Sequence, residues 1–228
     1  MKKYTKQEVA ATIDHAVLKP ESTDKDLQEN AAMCIENGVF SMCVKPCDVK
    51  MAAELLKGSS VKVSCVLSFP HGADATPSKA FQAKQAIEDG VDEIDMVMNI
   101  GKFMSGDFDY VKNDIKAVVD VAHASGVKVK VIQESGHLTM EQVAKACKLS
   151  YEAGADFVKT STGFGPGAAT PEIIDVMIKT VGHKMEVKPS GGIRTWEAAV
   201  GYLEQGVDRL GVGSTLAVLN GAETEGDY

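Results

Sequence analysis

Two lysines, Lys159 and Lys188, each end a short apolar run in this chain. Lys159 lies in Gly154-Ala-Asp-Phe-Val-Lys-Thr-Ser-Thr-Gly-Phe-Gly165, and Lys188 in Glu186-Val-Lys-Pro-Ser-Gly-Gly192. A lysine at the end of a buried strand, beside a turn open enough for a phosphate, suggests an amine that attacks a carbonyl. Such an amine must be neutral. With an unperturbed pKa of about 10.4, only about one lysine in 2,500 is neutral at pH 7. Lowering that pKa to roughly 7 takes about 4–5 kcal/mol of destabilisation of the ammonium. A second ammonium about 5 Å away supplies about 3 kcal/mol at an effective dielectric of 20, and partial burial adds the rest. Lys188 is the natural source of that field for Lys159, the pattern of an activated Schiff-base amine. Asp95, five residues after Gly90 as Lys159 is after Gly154, is expected at a similar height. It is the carboxylate best placed to move protons through a water, with a structural counter-ion to the lysine pair as the lesser alternative.

Three glycine-bearing turns follow the last apolar runs: Gly163-Phe-Gly165, Ser190-Gly-Gly192 and Gly213-Ser214. Backbone N–H groups and a hydroxyl converging there would bind an anion. Gly163, Gly191, Gly192, Gly213 and Ser214 are therefore candidate phosphate contacts, and the expected substrate is phosphorylated. Arg194 either assists or caps a surface, and the sequence leaves both open.

Positioning these groups requires a repeated unit. Five times a helical stretch ends at glycine and an apolar run follows, at Gly38, Gly90, Gly126, Gly154 and Gly206. Glycine past a helix accepts the left-handed closing turn, and the β-rich residues after it read as a buried strand. Further strands are expected at Ile13–Leu18, Val61–Leu67 and Met185–Lys188, with amphipathic helices over Lys79–Asp89, Tyr110–Ala124 and Met140–Ala153. Eight strands alternating with helices imply an α/β fold. An open doubly wound sheet is one form of it; even unit lengths and no early G-x-G-x-x-G turn favour a closed (β/α)8 TIM barrel. Alternation then groups Glu93, Asp95 and Val97; Lys130, Ile132 and Glu134; Phe157, Lys159 and Ser161; and Glu186 with Lys188 on inward faces. Charges there must be paired or partly wet.

At 228 residues the chain fits a single domain, 1–228, with a core from about Thr12 to Leu219, a short N-terminal helix and a flexible C-terminal tail. Its net charge of −8 argues against nucleic acid or an anionic membrane as partner. No apolar run nears the roughly 20 residues that span a bilayer, and no signal-peptide core is present. Cys34, Cys43, Cys47, Cys65 and Cys147 read as free thiols of a reducing cytoplasm, and their spacing offers no zinc site.

The chain closely resembles the deoxyribose-phosphate aldolase family, class I aldolases of the (β/α)8 type. The resemblance rests on Thr12-Ile-Asp-His-Ala-Val-Leu-Lys-Pro20, Ser68-Phe-Pro-His-Gly72, Asp92-Glu-Ile-Asp-Met-Val97, Val158-Lys-Thr-Ser-Thr-Gly-Phe-Gly165 and Lys188-Pro-Ser-Gly-Gly-Ile-Arg-Thr195. It implies reversible cleavage of 2-deoxy-D-ribose 5-phosphate to acetaldehyde and D-glyceraldehyde 3-phosphate. Lys159 matches the Schiff-base lysine, Lys188 its perturbing partner and Asp95 the proton relay. Asp14 matches a strand-one aspartate near the second lysine, and Cys43 and Thr160 are further site candidates. No metal or organic cofactor is implied, and a homodimer or higher homo-oligomer is. The chain departs from the family at Lys45, Ser68, Gln133 and His137, which bears on selectivity; Gln133 is expected to face the helix layer. The terminal Tyr228 is a candidate to fold over the rim. A carboxylate-based sugar-phosphate isomerase and a phosphate-binding sensor are the rival readings; both dispense with a covalent lysine.

Overall fold

The computed structural model describes residues 3–221; Tyr228, with the proposed tail contact, lies outside the described residues. Eight parallel strands form the centre: β1 (Ile13–Val17), β2 (Ser41–Val44), β3 (Lys62–Leu67), β4 (Glu93–Val97), β5 (Lys128–Ile132), β6 (Phe157–Lys159), β7 (Glu186–Lys188) and β8 (Leu210–Val212). Ten helices are described around and between them: α1 (Lys6–Ala10), α2 (Asp24–Asn37), α3 (Val49–Leu55), α4 (Thr76–Glu88), α5 (Ile100–Met104), α6 (Phe108–His123), α7 (Met140–Glu152), α8 (Pro171–Val181), α9 (Trp196–Gln205) and α10 (Thr215–Leu219). Local sequence starts and stops them. Thr23 and Thr139 close capping boxes at α2 and α7, and Gly38 and Gly206 take the left-handed conformation that ends α2 and α9.

The ring is closed. β1 pairs with β8 as well as β2. Between β7 and β8, the Asp208 N–H donates to Val187 O and the Gly211 N–H to Pro189 O, with Ser190 bridging Gly211. This excludes the open-sheet form. The registers run Asp14–Ser41, Cys43–Ser64–Glu93, Asp95–Lys130–Phe157, Lys159–Lys188, Ser190–Gly211 and back to Asp14. Closing the circuit takes four upward steps of two residues, the shear of about 8 expected of this barrel.

That stagger sorts inward positions into layers of four from alternate strands. From the bottom they are Ser41, Glu93, Phe157 and Arg209; then Asp14, Ser64, Lys130 and Lys188; then Cys43, Asp95, Lys159 and Gly211; then Ala16, Val66, Ile132 and Ser190. Asp95 and Lys159, two strands and two residues apart in register, thus share a height.

Outward positions such as Ile94, Met96, Val129, Val131, Val158 and Leu210 pack under the helices and make the main apolar core. One ion pair is sealed inside that shell. Lys79 on α4 donates to Asp114 Oδ2 on α6 (2.6 Å) and to Val97 O (3.1 Å), while Thr76 donates to Asp114 Oδ1. Both charged side chains are fully buried. Lys79→Met alone strands the carboxylate and should cost about 3–5 kcal/mol in urea unfolding, whereas Lys79→Met with Asp114→Leu should recover most of that loss.

Candidate active site

Inside the barrel, buried side chains of opposite charge bridge neighbouring layers. Arg209 donates to Glu93 (2.9 and 3.4 Å) and to Asp14 Oδ1 (2.8 Å), and its guanidinium lies 3.4 Å from the centre of the Phe40 ring. Lys130 reaches Glu93 at 2.5 Å and Asp95 Oδ1 at 2.8 Å. Lys188 donates to Asp14 Oδ2 at 2.5 Å and to Asp95 Oδ2 at 2.7 Å; Lys159 donates to that same Asp95 oxygen at 2.8 Å. The two lysine nitrogens are therefore no farther apart than those two bonds laid end to end. Ser41 and Ser64 hydroxyls complete the shells of Asp14 and Asp95.

Burial favours neutral forms, yet the cluster resists it. Burial pushes the Asp95 carboxyl up, but Lys130, Lys159 and Lys188 outweigh it and hold Asp95 well below the usual carboxylate range. Asp14 is likewise held below that range, burial being outweighed by Lys188, Lys130 and Arg209. Burial pushes Lys130 and Lys188 down, and their carboxylate neighbours more than restore them, so both end raised. Burial keeps the Cys43 thiol protonated, and Asp95 reinforces it. Among the described residues, Lys159, Lys188, Lys130 and Arg209 face Asp14, Glu93 and Asp95.

Gly211 makes room for this. A side chain there would collide with Ser190 and press on the Lys188 arm at 3.4 Å. Above the cluster, Gly163, Gly165, Gly167, Gly191, Gly192 and Arg194 line a cavity of about 280 Å³. The loop carrying three of these glycines is tied to the segment after β5 by Glu134, whose carboxylate accepts from the Thr162 hydroxyl and the Thr162 N–H. Gly213 and Ser214 line a different cavity with His15 and Asn30, so the three glycine turns do not meet in one pocket. The Thr160 hydroxyl is taken up by the Ser190 backbone.

A sequence model described as DeoC/LacD family aldolase matches residues 8–214. The chain is 51% identical over 217 residues to the deoxyribose-phosphate aldolase of Thermococcus gammatolerans, covering 94% of this chain and 96% of that one. It is 47% identical over 223 residues to that of Clostridium perfringens strain SM101 / Type A, covering 98% and 99%. This chain belongs to the DeoC/LacD aldolase family. Solved structures of similar aldolases share the barrel. A putative deoxyribose-phosphate aldolase from Coccidioides immitis superposes with a TM-score of 0.92 at 35% identity, covering 96% of this chain and 86% of that one. The deoxyribose phosphate aldolase of Aeropyrum pernix, solved as a tetramer, gives 0.89 at 28% identity, covering 95% and 91%.

Sequence reasoning about this aldolase named Lys159, Lys188, Asp95 and Asp14, and the barrel brings all four into one cluster. It placed Lys130 and Glu93 on inward faces without joining them to the site, and it missed Arg209. The signal for Arg209 was available: it stands two residues before Gly211 on the inward face of the eighth strand. Lys45, a departure from the family pattern, turns its ammonium to Ser22 O (3.0 Å) and Asp48 (3.5 Å) at the rim. Gln133 faces the helix layer, its amide against Cys147 on α7, and His137 is exposed.

His15 faces outward from β1, its ring between the Thr215 hydroxyl (2.8 Å) and Asn30 Oδ1 (2.7 Å). It thereby braces the turn bearing Gly213 and Ser214. Burial lowers its pKa from 6.5 to about 4, against a smaller opposing pull from Asn30. Between those values the unfolded chain holds the extra proton, so stability falls as pH falls. The loss should approach about 3 kcal/mol from pH 6.5 to pH 4. Urea unfolding across that window should show it in the wild type and a flatter profile in His15→Gln.

Proposed function

We propose that the chain cleaves 2-deoxy-D-ribose 5-phosphate reversibly to acetaldehyde and D-glyceraldehyde 3-phosphate through a Schiff base on Lys159. The observation that carries this reading is the oxygen of Asp95 shared by Lys159 and Lys188. Two ammonium groups on one carboxylate oxygen repel each other, which favours the loss of a proton from one of them. Arg209 stays charged, and Lys130 and Lys188 are both held protonated by their carboxylates. By elimination the proton leaves Lys159. Lys159 and Lys188 repel one another, and at about 5 Å and an effective dielectric near 20 that repulsion is about 3 kcal/mol.

The neutral Lys159 amine adds to the C1 aldehyde, and the carbinolamine hydroxyl takes up a proton delivered through the water at Asp95 and leaves as water, giving an iminium. The iminium accepts the electron pair of the C2–C3 bond as that bond breaks, while the C3 hydroxyl gives up its proton and D-glyceraldehyde 3-phosphate leaves. The remaining enamine takes a proton at C2, and hydrolysis returns acetaldehyde and the free lysine. Asp95, ionised and within reach of Lys159, accepts and returns protons by way of a water. The cavity between the β6 and β7 turns, with its glycine N–H groups and Arg194, takes the phosphate. Asp14 holds Lys188 charged. No metal or organic cofactor enters, because the protonated imine is itself the electron sink. We read the chain as one barrel domain that works in the cytoplasm, and as a homo-oligomer by analogy with the tetrameric Aeropyrum relative.

Borohydride reduction with deoxyribose 5-phosphate should leave one adduct on the peptide bearing Lys159, read by mass spectrometry; an adduct on Lys188 alone reverses the roles, and none removes the mechanism. Asp95→Asn should lower kcat by about 10²–10⁴-fold. Lys188→Met should move the ascending limb of the pH–rate profile upward, since its charge no longer opposes protonation of Lys159. A carboxylate-based isomerase would instead keep appreciable activity in Lys159→Arg.

A further inference from the structure

One buried hydroxyl beside Lys159 has no use in the scheme above. The β6 ladder continues past the strand: the Thr160 N–H donates to Lys188 O, and Thr160 O accepts from the Ser135 N–H. Alternation therefore returns Ser161 to the face of Lys159, in the rim above Asp95. Ser161 is fully buried, and among the described residues its hydroxyl has no hydrogen-bond partner. Buried polar groups are rarely left so, and an orphan in a native site calls for an explanation. Its surroundings supply one. A Cβ placed on Gly191 would lie 3.6 Å from the Ser161 side chain, and Gly191 lines the cavity with Gly163 and Arg194. Ser161 thus stands between the amine that would hold C1 and the cavity that would hold the phosphate.

We propose that the Ser161 hydroxyl is a specificity-determining contact that hydrogen-bonds the substrate hydroxyl lying between the carbonyl carbon and the phosphate. The assignment rests on the Schiff-base reading, which fixes the two ends of the substrate. A five-carbon chain stretched between those ends carries its C3 and C4 hydroxyls past this position. The C3 oxygen becomes the leaving carbonyl, so C4 keeps its hydroxyl throughout, and that is the one Ser161 reads. A site that leaves a buried polar group unpaired rejects an analogue that lacks the matching hydroxyl.

The synthetic direction separates this contact from the rest. Acetaldehyde is supplied as donor with either D-glyceraldehyde 3-phosphate or 3-oxopropyl phosphate, which lacks the hydroxyl. The wild type should prefer the hydroxylated acceptor. Ser161→Ala should lower kcat/KM for it about tenfold and shrink its advantage by the same factor, the scale of one neutral hydrogen bond. Ser161→Cys, close in size with a weak donor, should fall between. Thermal unfolding of Ser161→Ala should not shift down, because alanine removes an unpaired polar atom. No wild-type preference, equal losses on both acceptors, or no loss on either overturns the assignment. Borohydride trapping of acetaldehyde on the wild-type chain tests the lysine reading separately.

Discussion

Charges sealed from water inside a parallel barrel must find one another, and this constraint governs the arrangement of the chain. An isolated ion there would cost several kcal/mol even after relaxation. The chain answers with carboxylates and cations from neighbouring layers, both oxygens of Asp95 and Oδ1 of Asp14 each accepting two donors. The stagger of the strands makes this possible. It sets residues of alternate strands at one height, so Asp14, Lys130 and Lys188 lie one layer below Asp95 and Lys159. A register slip of one residue in a single strand would turn its charge toward the helices and leave a partner alone. Strand registry and electrostatics are one problem here.

The apolar driving force lies elsewhere. Valine, isoleucine and methionine on the outward strand faces pack under the helices, where they bury without competing for the barrel centre. Stability and reactivity thereby occupy opposite faces of the same strands. A small second apolar group, Leu18, Cys43 and Val66 with Ala16 and Phe69, walls the upper interior on the side of β1 to β3. It flanks the ion cluster and limits water on that side, which strengthens every charge interaction below it.

Much of this was legible in the residues. The glycine-closed units announced the strands, period-two alternation put Glu93, Asp95, Lys130, Lys159 and Lys188 inward, and two matched intervals set Asp95 level with Lys159. Lys159, Lys188 and Asp95 could be picked out because a charged residue ending an apolar run demands a partner. Arg209 escaped because it precedes the apolar part of its strand and reads as a polar flank. The split between the turn at Gly213 and the cavity at Gly191 also escaped, since it depends on where α10 settles and not on glycine spacing. Ser161 was placed on the right face, but serine alternating with threonine carries no sign of an unpaired hydroxyl. Only the packed surroundings reveal that.

Glu134 sits in the left-handed region at φ 50° and folds its carboxylate back onto Thr162, and Gly165 passes so close that any side chain there would strike it. The conformation of the loop after β6 is therefore inherited in part from the segment after the neighbouring strand. Transplanting that loop into a related barrel, or shuffling segments between homologues at the β5–β6 boundary, would separate a template from its cast. The two belong to one inheritable module, although twenty-odd residues of helix and turn divide them in the chain.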